Sequence, residues 1–514
     1  MTLNNSPDDD KDLEQPSRDT SPLLTSPRPI PLNEPVAKGN WIWLLTLSAG
    51  ISGLLFGYDT ASISGALLHL GNSLSTPGHP VTTWDKSMIA SATSLGALFG
   101  GLIAGVAADK FGRRAVIFAA DVGFAVGALW QALSGTVGSM ILGRIVVGVS
   151  VGIASLIVPL YISELSPASH RGRLVVISVL FITIGQLFAY AVSIILSPPR
   201  LSPDSSWRWT LGLGGAPAVV QLFLMVFMPE TPRWQFQHLG AKAAAKTLAQ
   251  VYGTDSPSVI TPLVDSLAAG IPSSPSPGLK EKLRMILAIP GNRRALIIAC
   301  SLQFLQQACG FNALMYFSPT IFSKLGVHSP TATAMIVAFT NAVATFFAFH
   351  LIDHAGRRTM LLHSLEGMFI GLCLCSFIFF TIPFLSPDTS IASPVTAGIS
   401  ILQLSILLLG TVIFVSSYAL GLGAIPWLCQ SEFFPMNVRG VGTGAATATN
   451  WFWNLVVAAG FLMVVELVGA GWCFLAFAVV VAGGWVFAWG RYPETKGMRM
   501  EEIERLLKDG WGVL

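Results

Sequence analysis

The chain has 514 residues, 52% of them hydrophobic and only 11% charged, with a formal net charge of +3 and a mean hydropathy of +0.64. Soluble domains carry about 25% charged residues, so this composition excludes a soluble globular protein and points to a polytopic membrane protein. The small net charge, with no basic run, excludes a nucleic-acid binder.

Residues 1–40 are polar, Pro-rich and acidic early, and read as a disordered cytosolic tail with no signal peptide. Within it, Asp19-Thr-Ser-Pro-Leu23-Leu24 fits an acidic dileucine sorting signal, a match that chance in a disordered tail also explains. Apolar runs long enough to cross a bilayer, about 20 residues each, then follow at 41–67, 88–108, 115–133, 139–162, 174–196 and 209–228. A polar stretch intervenes, and the runs resume at 294–317, 331–351, 360–385, 399–429, 441–468 and 471–489. The expected organisation is a six-helix bundle over 41–228, a cytosolic linker with short helices over 229–290, a second six-helix bundle over 291–490, and a cytosolic tail over 491–514.

Short loops on one side hold Lys110, Arg113, Arg114, Arg171, Arg173, Arg357, Arg358 and Arg439, whereas the other side has fewer basic residues. The positive-inside rule makes the first side, both tails and the linker cytosolic. The two halves also repeat each other. Asp109-Lys-Phe-Gly-Arg113-Arg114 returns as Asp353-His-Ala-Gly-Arg357-Arg358, Ser163-Glu164 as Ser431-Glu432, and Pro229-Glu230-Thr231 as Pro493-Glu494-Thr495. Three ordered pairs imply two halves related by an axis along the membrane normal. The six cysteines lie in or beside apolar segments without zinc spacing, and read as packing residues.

Two charges stand inside apolar runs where a charge is costly unless paired or wetted. Asp59 lies roughly 12 Å below the outer edge of the first helix, and Arg144 roughly 8 Å into the fourth at 1.5 Å per residue. Opposite charges within a helical turn of one depth offset each other's desolvation. One reading makes Asp59 a proton carrier that stays ionised beside Arg144 and binds a proton when the helices part; the other is a permanent salt bridge. Asp121 lies nearer the cytosolic side of the third helix, too deep to share that level, and suits cavity hydration or a bond to a neighbouring Ser or Thr.

Gln186, Gln306, Gln307, Asn341 and Asn450 fall near mid-membrane, and Gln303 shares a face with Gln307 at i, i+4. Amides both donate and accept, so a converging set suits a neutral polyol. Isolated amides also serve simply to bind helices together, at about 0.6 kcal/mol each. Gly310 breaks the seventh helix and puts Asn312 and Tyr316 on an outer half-helix. Gly423 and Pro426 interrupt the tenth beside Trp427, whose face suits a sugar or cyclitol ring. There is no phosphate-binding Gly-Lys-Ser/Thr loop, metalloprotease motif or nucleophile–His–acid arrangement, so neither catalytic nor metal residues nor a cofactor are expected.

The Asp-x-x-Gly-Arg-Arg pair, Pro159-Leu-Tyr161-Ile-Ser-Glu164, Pro229-Glu-Thr-Pro-Arg233-Trp234 and Pro493-Glu-Thr-Lys-Gly497 resemble the sugar porter branch of the major facilitator superfamily, over roughly residues 41–507. That resemblance implies an all-α fold of twelve transmembrane helices in two pseudo-symmetric bundles, working by alternating access. It implies proton coupling through Asp59 with Arg144, and substrate binding at Gln186, Gln306, Gln307, Asn312, Asn341, Trp427 and Asn450. It also implies a cytosolic salt-bridge latch among Asp109, Arg113, Arg114, Glu164, Arg171, Asp353, Arg357, Arg358, Glu432 and Arg439, which holds the outward-open state. Ala120-Asp121, Ile182-Thr-Ile-Gly-Gln186 and Gln430-Ser-Glu432 look most like myo-inositol carriers of fungi and plants. Phe317 departs from the family's second Tyr and removes a hydroxyl near the outer gate. The expected protein is a proton symporter for a neutral polyol, myo-inositol first, acting as a monomer in the plasma membrane or a vacuolar or endosomal one. A hexose symporter, a sugar uniporter and a non-transporting sensor are the alternatives; sensors of the family carry a longer cytosolic tail than 498–514.

Overall fold

The computed structural model describes residues 41–514 except 72, 76–79, 167, 199, 270–277, 383–398, 436, 497, 499 and 514. The dileucine sequence therefore lies outside the described residues. The first half contains α1 (Trp41–His69), α2 (Thr83–Phe111), α3 (Arg113–Leu133), α4 (Val137–Leu165), α5 (Ala168–Ile195), α6 (Pro203–Gly212) and α7 (Gly215–Phe227). Next come α8 (Pro232–Leu239), α9 (Ala241–Tyr252), α10 (Pro257–Ala269) and α11 (Leu279–Ala288). The second half holds α12 (Pro290–Ala308), α13 (Phe311–Lys324), α14 (Pro330–Ala355), α15 (Arg357–Thr381), α16 (Ile401–Leu420), α17 (Ile425–Glu432), α18 (Arg439–Val468) and α19 (Ala470–Arg491), and α20 (Met500–Asp509) follows.

Among the described residues nine helices are long and apolar enough to cross a membrane, or ten counting Leu279–Ala288 with Pro290–Lys324, which meet at 93°. With α1 and α5, of 29 and 28 residues, they occupy the twelve positions expected. Large apolar side chains such as Phe99, Leu102, Ile103 and Phe223 stay exposed around the bundle, as a lipid-facing surface requires. Inside it, helices meet through small residues. A Cβ at Gly96 or Gly100 of α2 would strike the backbone of α4, and one at Gly148 or Gly152 of α4 would strike α2.

Several boundaries differ from expectation. The sixth span begins at Pro203 rather than 209, because Ser202 caps α6 by accepting from the Ser205 N–H, with Pro203 in the first turn. The linker holds four short helices, α8 to α11. Of these, α8 and α10 each open on a proline that the α-helical first turn accepts. The tenth span breaks over residues 421–424, which include the expected Gly423, with Gly421 at φ −136°. Gly310 takes φ +85°, a left-handed value that favours glycine, and separates α12 from α13.

The ends of the bundle are named here by their chemistry. The arginine-rich end carries Arg113, Arg114, Arg357 and Arg358 at the start of α3 and α15; the far end carries Thr83, Lys324 and Glu466.

Candidate functional site

The deepest charged feature is the pair expected from depth alone. Arg144 Nη1 lies 2.7 Å from Asp59 Oδ1, and the Arg144 side chain is fully buried. Arg144 Nε also donates to the Ile89 carbonyl at 3.2 Å. The pair thus joins α1 to α4 and, through Ile89, to α2. A buried pair is strongly destabilised when one partner is removed, because the other is left as an uncompensated charge.

Beside it lies an amide cluster on α12, α13 and α18. Asn450 Nδ2 donates to Gln303 Oε1 at 2.6 Å and to Gln306 Oε1 at 2.8 Å, and its Oδ1 accepts from Gln307 Nε2 at 3.0 Å. Gln307 Oε1 accepts from Asn312 Nδ2 at 2.6 Å and from Asn454 Nδ2 at 2.9 Å. Gln306 Nε2 donates to the Leu422 and Gly423 carbonyls freed by the break between α16 and α17. In the other wall, Asn341 Nδ2 of α14 donates to Gln186 Oε1 of α5 at 2.9 Å. Tyr316 reaches Asn454 Oδ1 at 3.3 Å. Trp427, with Pro426 before it, is half-buried on α17 and joins none of these bonds among the described residues.

Three members of this cluster escaped the sequence reading. Asn454, one turn beyond Asn450 on the same face of α18, had a visible signal in its i, i+4 spacing. Ser94, whose Oγ donates to Asn454 Oδ1 at 2.6 Å, had none. Gln430 Oε1 accepts from Gln303 Nε2 at 3.0 Å; it was noted only as part of a motif. Bonded to one another, these amides offer donors and acceptors that hydroxyl groups can replace one for one.

Asp121 is 3% exposed on α3, and its Oδ2 has no hydrogen-bond partner. The expected bond to a neighbouring Ser or Thr is not made by that oxygen. It lines a small cavity with Ser52 and Phe56 of α1 and Ser150 of α4.

At the arginine-rich end, Arg113 Nε lies 3.1 Å from Glu164 Oε2 and Arg113 Nη2 3.2 Å from Asp109 Oδ1. Arg357 Nη2 lies 3.0 Å from Glu432 Oε1. Each of these pairs stays within one half of the chain. Arg114 and Arg358 correct the expected latch. Arg114 donates to the Met225 and Val226 carbonyls at the end of α7, and Arg358 to the Trp489 carbonyl near the end of α19. Helix ends leave such carbonyls without partners, and a guanidinium satisfies them. The side chains of Arg171 and Asp353 lie outside the described residues; Arg439 Nε donates to the Phe434 carbonyl.

The glutamates of the Pro-Glu-Thr repeats, read only as repeat markers, hold the helix starts at this end. Glu230 accepts the backbone N–H of Arg113 and of Arg114, both at 3.0 Å. Glu494 does the same for Arg357 at 2.9 Å and Arg358 at 3.0 Å. Each carboxylate sits on a helix N-terminus, where the dipole favours negative charge. Burial pushes the Glu230 carboxyl above its usual range, against the pull of these N–H groups.

A helical bundle in two repeated halves, with an ion pair and converging amides in its interior, defines a membrane transporter. The comparisons agree. Residues 45–507 match the model of the "Sugar (and other) transporter" family, and the chain belongs to that family, the sugar porters of the major facilitator superfamily. It is 40% identical to Myo-inositol transporter 1 of Cryptococcus neoformans, over 92% of this chain and 82% of that protein. Identity to Myo-inositol transporter 1 of Saccharomyces cerevisiae is also 40%, over 92% and 80%. Among solved structures, the proton:xylose symporter XylE bound to 6-bromo-6-deoxy-D-glucose superposes with a TM-score of 0.74 at 27% identity, over 91% of this chain and 99% of that one.

Proposed function

We propose that this transporter imports myo-inositol with a proton by alternating access, with its arginine-rich end in the cytosol. The observation that carries the coupling is the buried Asp59–Arg144 pair at 2.7 Å. It can exchange a proton with a change of helix position. With Arg144 beside it the carboxylate stays ionised; with Arg144 withdrawn, burial favours the neutral acid. The polyol site is the amide cluster, with Gln186 and Asn341 in the opposite wall and Trp427 at its edge. A cyclitol presents only hydroxyl groups, and amides from six helices match them without a charged partner. The 40% identity to two curated myo-inositol transporters supports this substrate. A hexose or pentose is the second reading, favoured by the likeness to a xylose symporter bound to a glucose analogue.

Gly310 and the break at Gly421–Ala424 are the joints on which the outer half-helix α13 and the inner half-helix α17 move. The pairs Arg113–Glu164 and Arg357–Glu432 set the shape of each half at the cytosolic end. The protein acts as a monomer, in the plasma membrane.

Uptake of labelled myo-inositol and of glucose, with and without a proton uncoupler, tests this reading in the wild type and in Asp59→Asn. Uphill inositol uptake abolished by the uncoupler is expected, with Asp59→Asn reduced to exchange or downhill movement. Uphill uptake that survives in Asp59→Asn overturns the coupling; strong glucose uptake without inositol uptake overturns the substrate.

A further inference from the structure

We propose that Asp121 is a second proton site, which takes the proton that Asp59 releases and passes it to the cytosol. This rests on the proton coupling proposed above. Asp121 Oδ2 is buried with no hydrogen-bond donor, and the residue is 3% exposed. An ionised carboxylate in that state would be very costly. The neutral acid is the form that the surroundings accept.

The surroundings hold no charge that would change this. Asp121 lies in a cavity lined by Ser52, Leu55 and Phe56 of α1, Phe124 of α3, and Ser150 and Val151 of α4, with room for about one water molecule. The titratable groups on the packed helices are Tyr58, Asp59 and His69 of α1; Asp85, Lys86, Asp109 and Lys110 of α2; Arg113 and Arg114 of α3; Arg144, Tyr161 and Glu164 of α4; and Asp204 and Arg208 of α6. α7 carries none. None of these groups lines the cavity. Arg144 is committed to Asp59, and Arg113 to Glu164 and Asp109.

Ser52 stands between Asp59 and Asp121 in depth. Ser52 lies two turns below Asp59 on one face of α1, about 10 Å nearer the arginine-rich end. Its Oγ accepts from Gln221 Nε2, and Ser52 also lines the cavity beside Asp121. Asp121 lies eight residues, about 12 Å, from the arginine-rich start of α3. The order from the far end inward is therefore Asp59, Ser52 with the cavity, Asp121, and the cytosolic end.

The structure corresponds to one stage of this sequence. Asp59 is paired with Arg144 and therefore ionised, while Asp121 is in surroundings that favour the acid. In the step that leads here, the O–H bond on Asp59 breaks as Arg144 pairs with its carboxylate. A hydroxyl or water bridge at Ser52 moves the proton, and an O–H bond forms on Asp121. When the cytosolic side opens and the cavity is wetted, Asp121 ionises and its proton leaves to water. The next cycle restores it from Asp59. No other reactant is needed.

The test separates net transport, which must release a proton, from exchange of internal for external myo-inositol, which need not. Full-length protein in proteoliposomes is assayed for both, with the internal pH varied. Asp121→Asn keeps the shape of the neutral acid but binds no proton. It is expected to retain exchange while net uptake falls at least about tenfold, the factor that about 1.4 kcal/mol of barrier represents. The dependence of net uptake on internal pH should vanish with it. Asp121→Glu, which keeps a proton site, should recover most of the net uptake. Wild-type net uptake in Asp121→Asn overturns the proposal. So does a parallel loss of exchange and net uptake in both variants, the mark of a structural role. Asp59→Asn keeps the two readings apart: if it abolishes uphill transport while Asp121→Asn is silent, the coupling stands and only the relay falls.

Discussion

At the residue scale, Asn450 is the hub of the amide cluster, because it is hydrogen-bonded to Gln303, Gln306 and Gln307 at once. Asn450→Ala removes the partners of two carbonyl oxygens and one N–H in a buried site. Each group left unsatisfied costs about 1–3 kcal/mol. On the proposed assignment of the polyol site to these groups, the KM for myo-inositol is expected to rise about tenfold per 1.4 kcal/mol of binding lost. Asn450→Asp should be at least as harmful, since a carboxylate cannot donate to Gln303 and Gln306. Initial uptake rates against concentration, corrected for protein abundance, check this; an unchanged KM in both variants removes Asn450 from the site. The residue scale also shows how far the chain alone could be read. The Asp59–Arg144 pair was legible because helix rise converts sequence position into depth. Depth says nothing of azimuth, so their facing each other at 2.7 Å was not legible. Gln430 and the Leu422 and Gly423 carbonyls were hidden for the same reason: they enter the cluster only because the chain breaks between α16 and α17.

At the element scale, the two halves fasten their helices by one device used twice. A glycine at positive φ ends one helix and starts the next, Gly112 at +92° before α3 and Gly356 at +91° before α15. A Cβ at either position would also meet the carboxylate of Glu230 or Glu494, so both the turn and its anion require glycine. The second arginine after each glycine, Arg114 or Arg358, then ties the start of α3 to the end of α7, and the start of α15 to α19. The repeats exposed the two glutamates in the sequence, but not their purpose, which depends on a chain return of more than a hundred residues. Glu230→Gln replaces one accepting oxygen with a donor that faces an N–H, and removes the charge from the helix dipole. Two charge-assisted bonds are at stake, so a loss of about 2–4 kcal/mol of stability is expected. Glu494→Gln should lose as much, and the double variant roughly the sum, because the two sites share no partner. Thermal unfolding of the purified protein measures this. Single variants that melt with the wild type would show that the carboxylates do not hold these helix starts.

At the scale of the whole molecule, the question is which end is closed and what closes it. Among the described residues, the side-chain hydrogen bonds between the two halves join Thr83 to Glu466, Ser94 to Asn454, Tyr190 to Met315 and Ser318, and Gln186 to Asn341. All of them lie between mid-membrane and the far end, so the structure is sealed on the side away from the arginines. The salt bridges at the arginine-rich end lie within each half and are intact in this state, so they shape the halves without locking one to the other. The seal therefore depends on the far-end bonds, and these differ in weight. Lys324 lies 3.5 Å from Glu466 with both side chains about two-fifths exposed; this pair lies within the second half, contributes about 0–1 kcal/mol, and reaches the seal only by holding the carboxylate to which Thr83 donates. Tyr190 is fully buried, and its hydroxyl donates to the Met315 carbonyl at 2.8 Å. Tyr190→Phe leaves that carbonyl without the bond only while the halves are closed, which shifts the equilibrium toward the state open at the far end. A buried bond of about 1–1.5 kcal/mol corresponds to a shift of roughly five- to tenfold. A cysteine placed at Ser64, beside Tyr190, should react that much faster with a membrane-impermeant maleimide applied from the far side when Tyr190→Phe is present. Lys324→Ala should change the rate less than about threefold, as an exposed pair allows. Equal rates with and without Tyr190→Phe would mean that the packing of α1 and α5 against α13 and α14 closes this end, and that its hydrogen bonds follow.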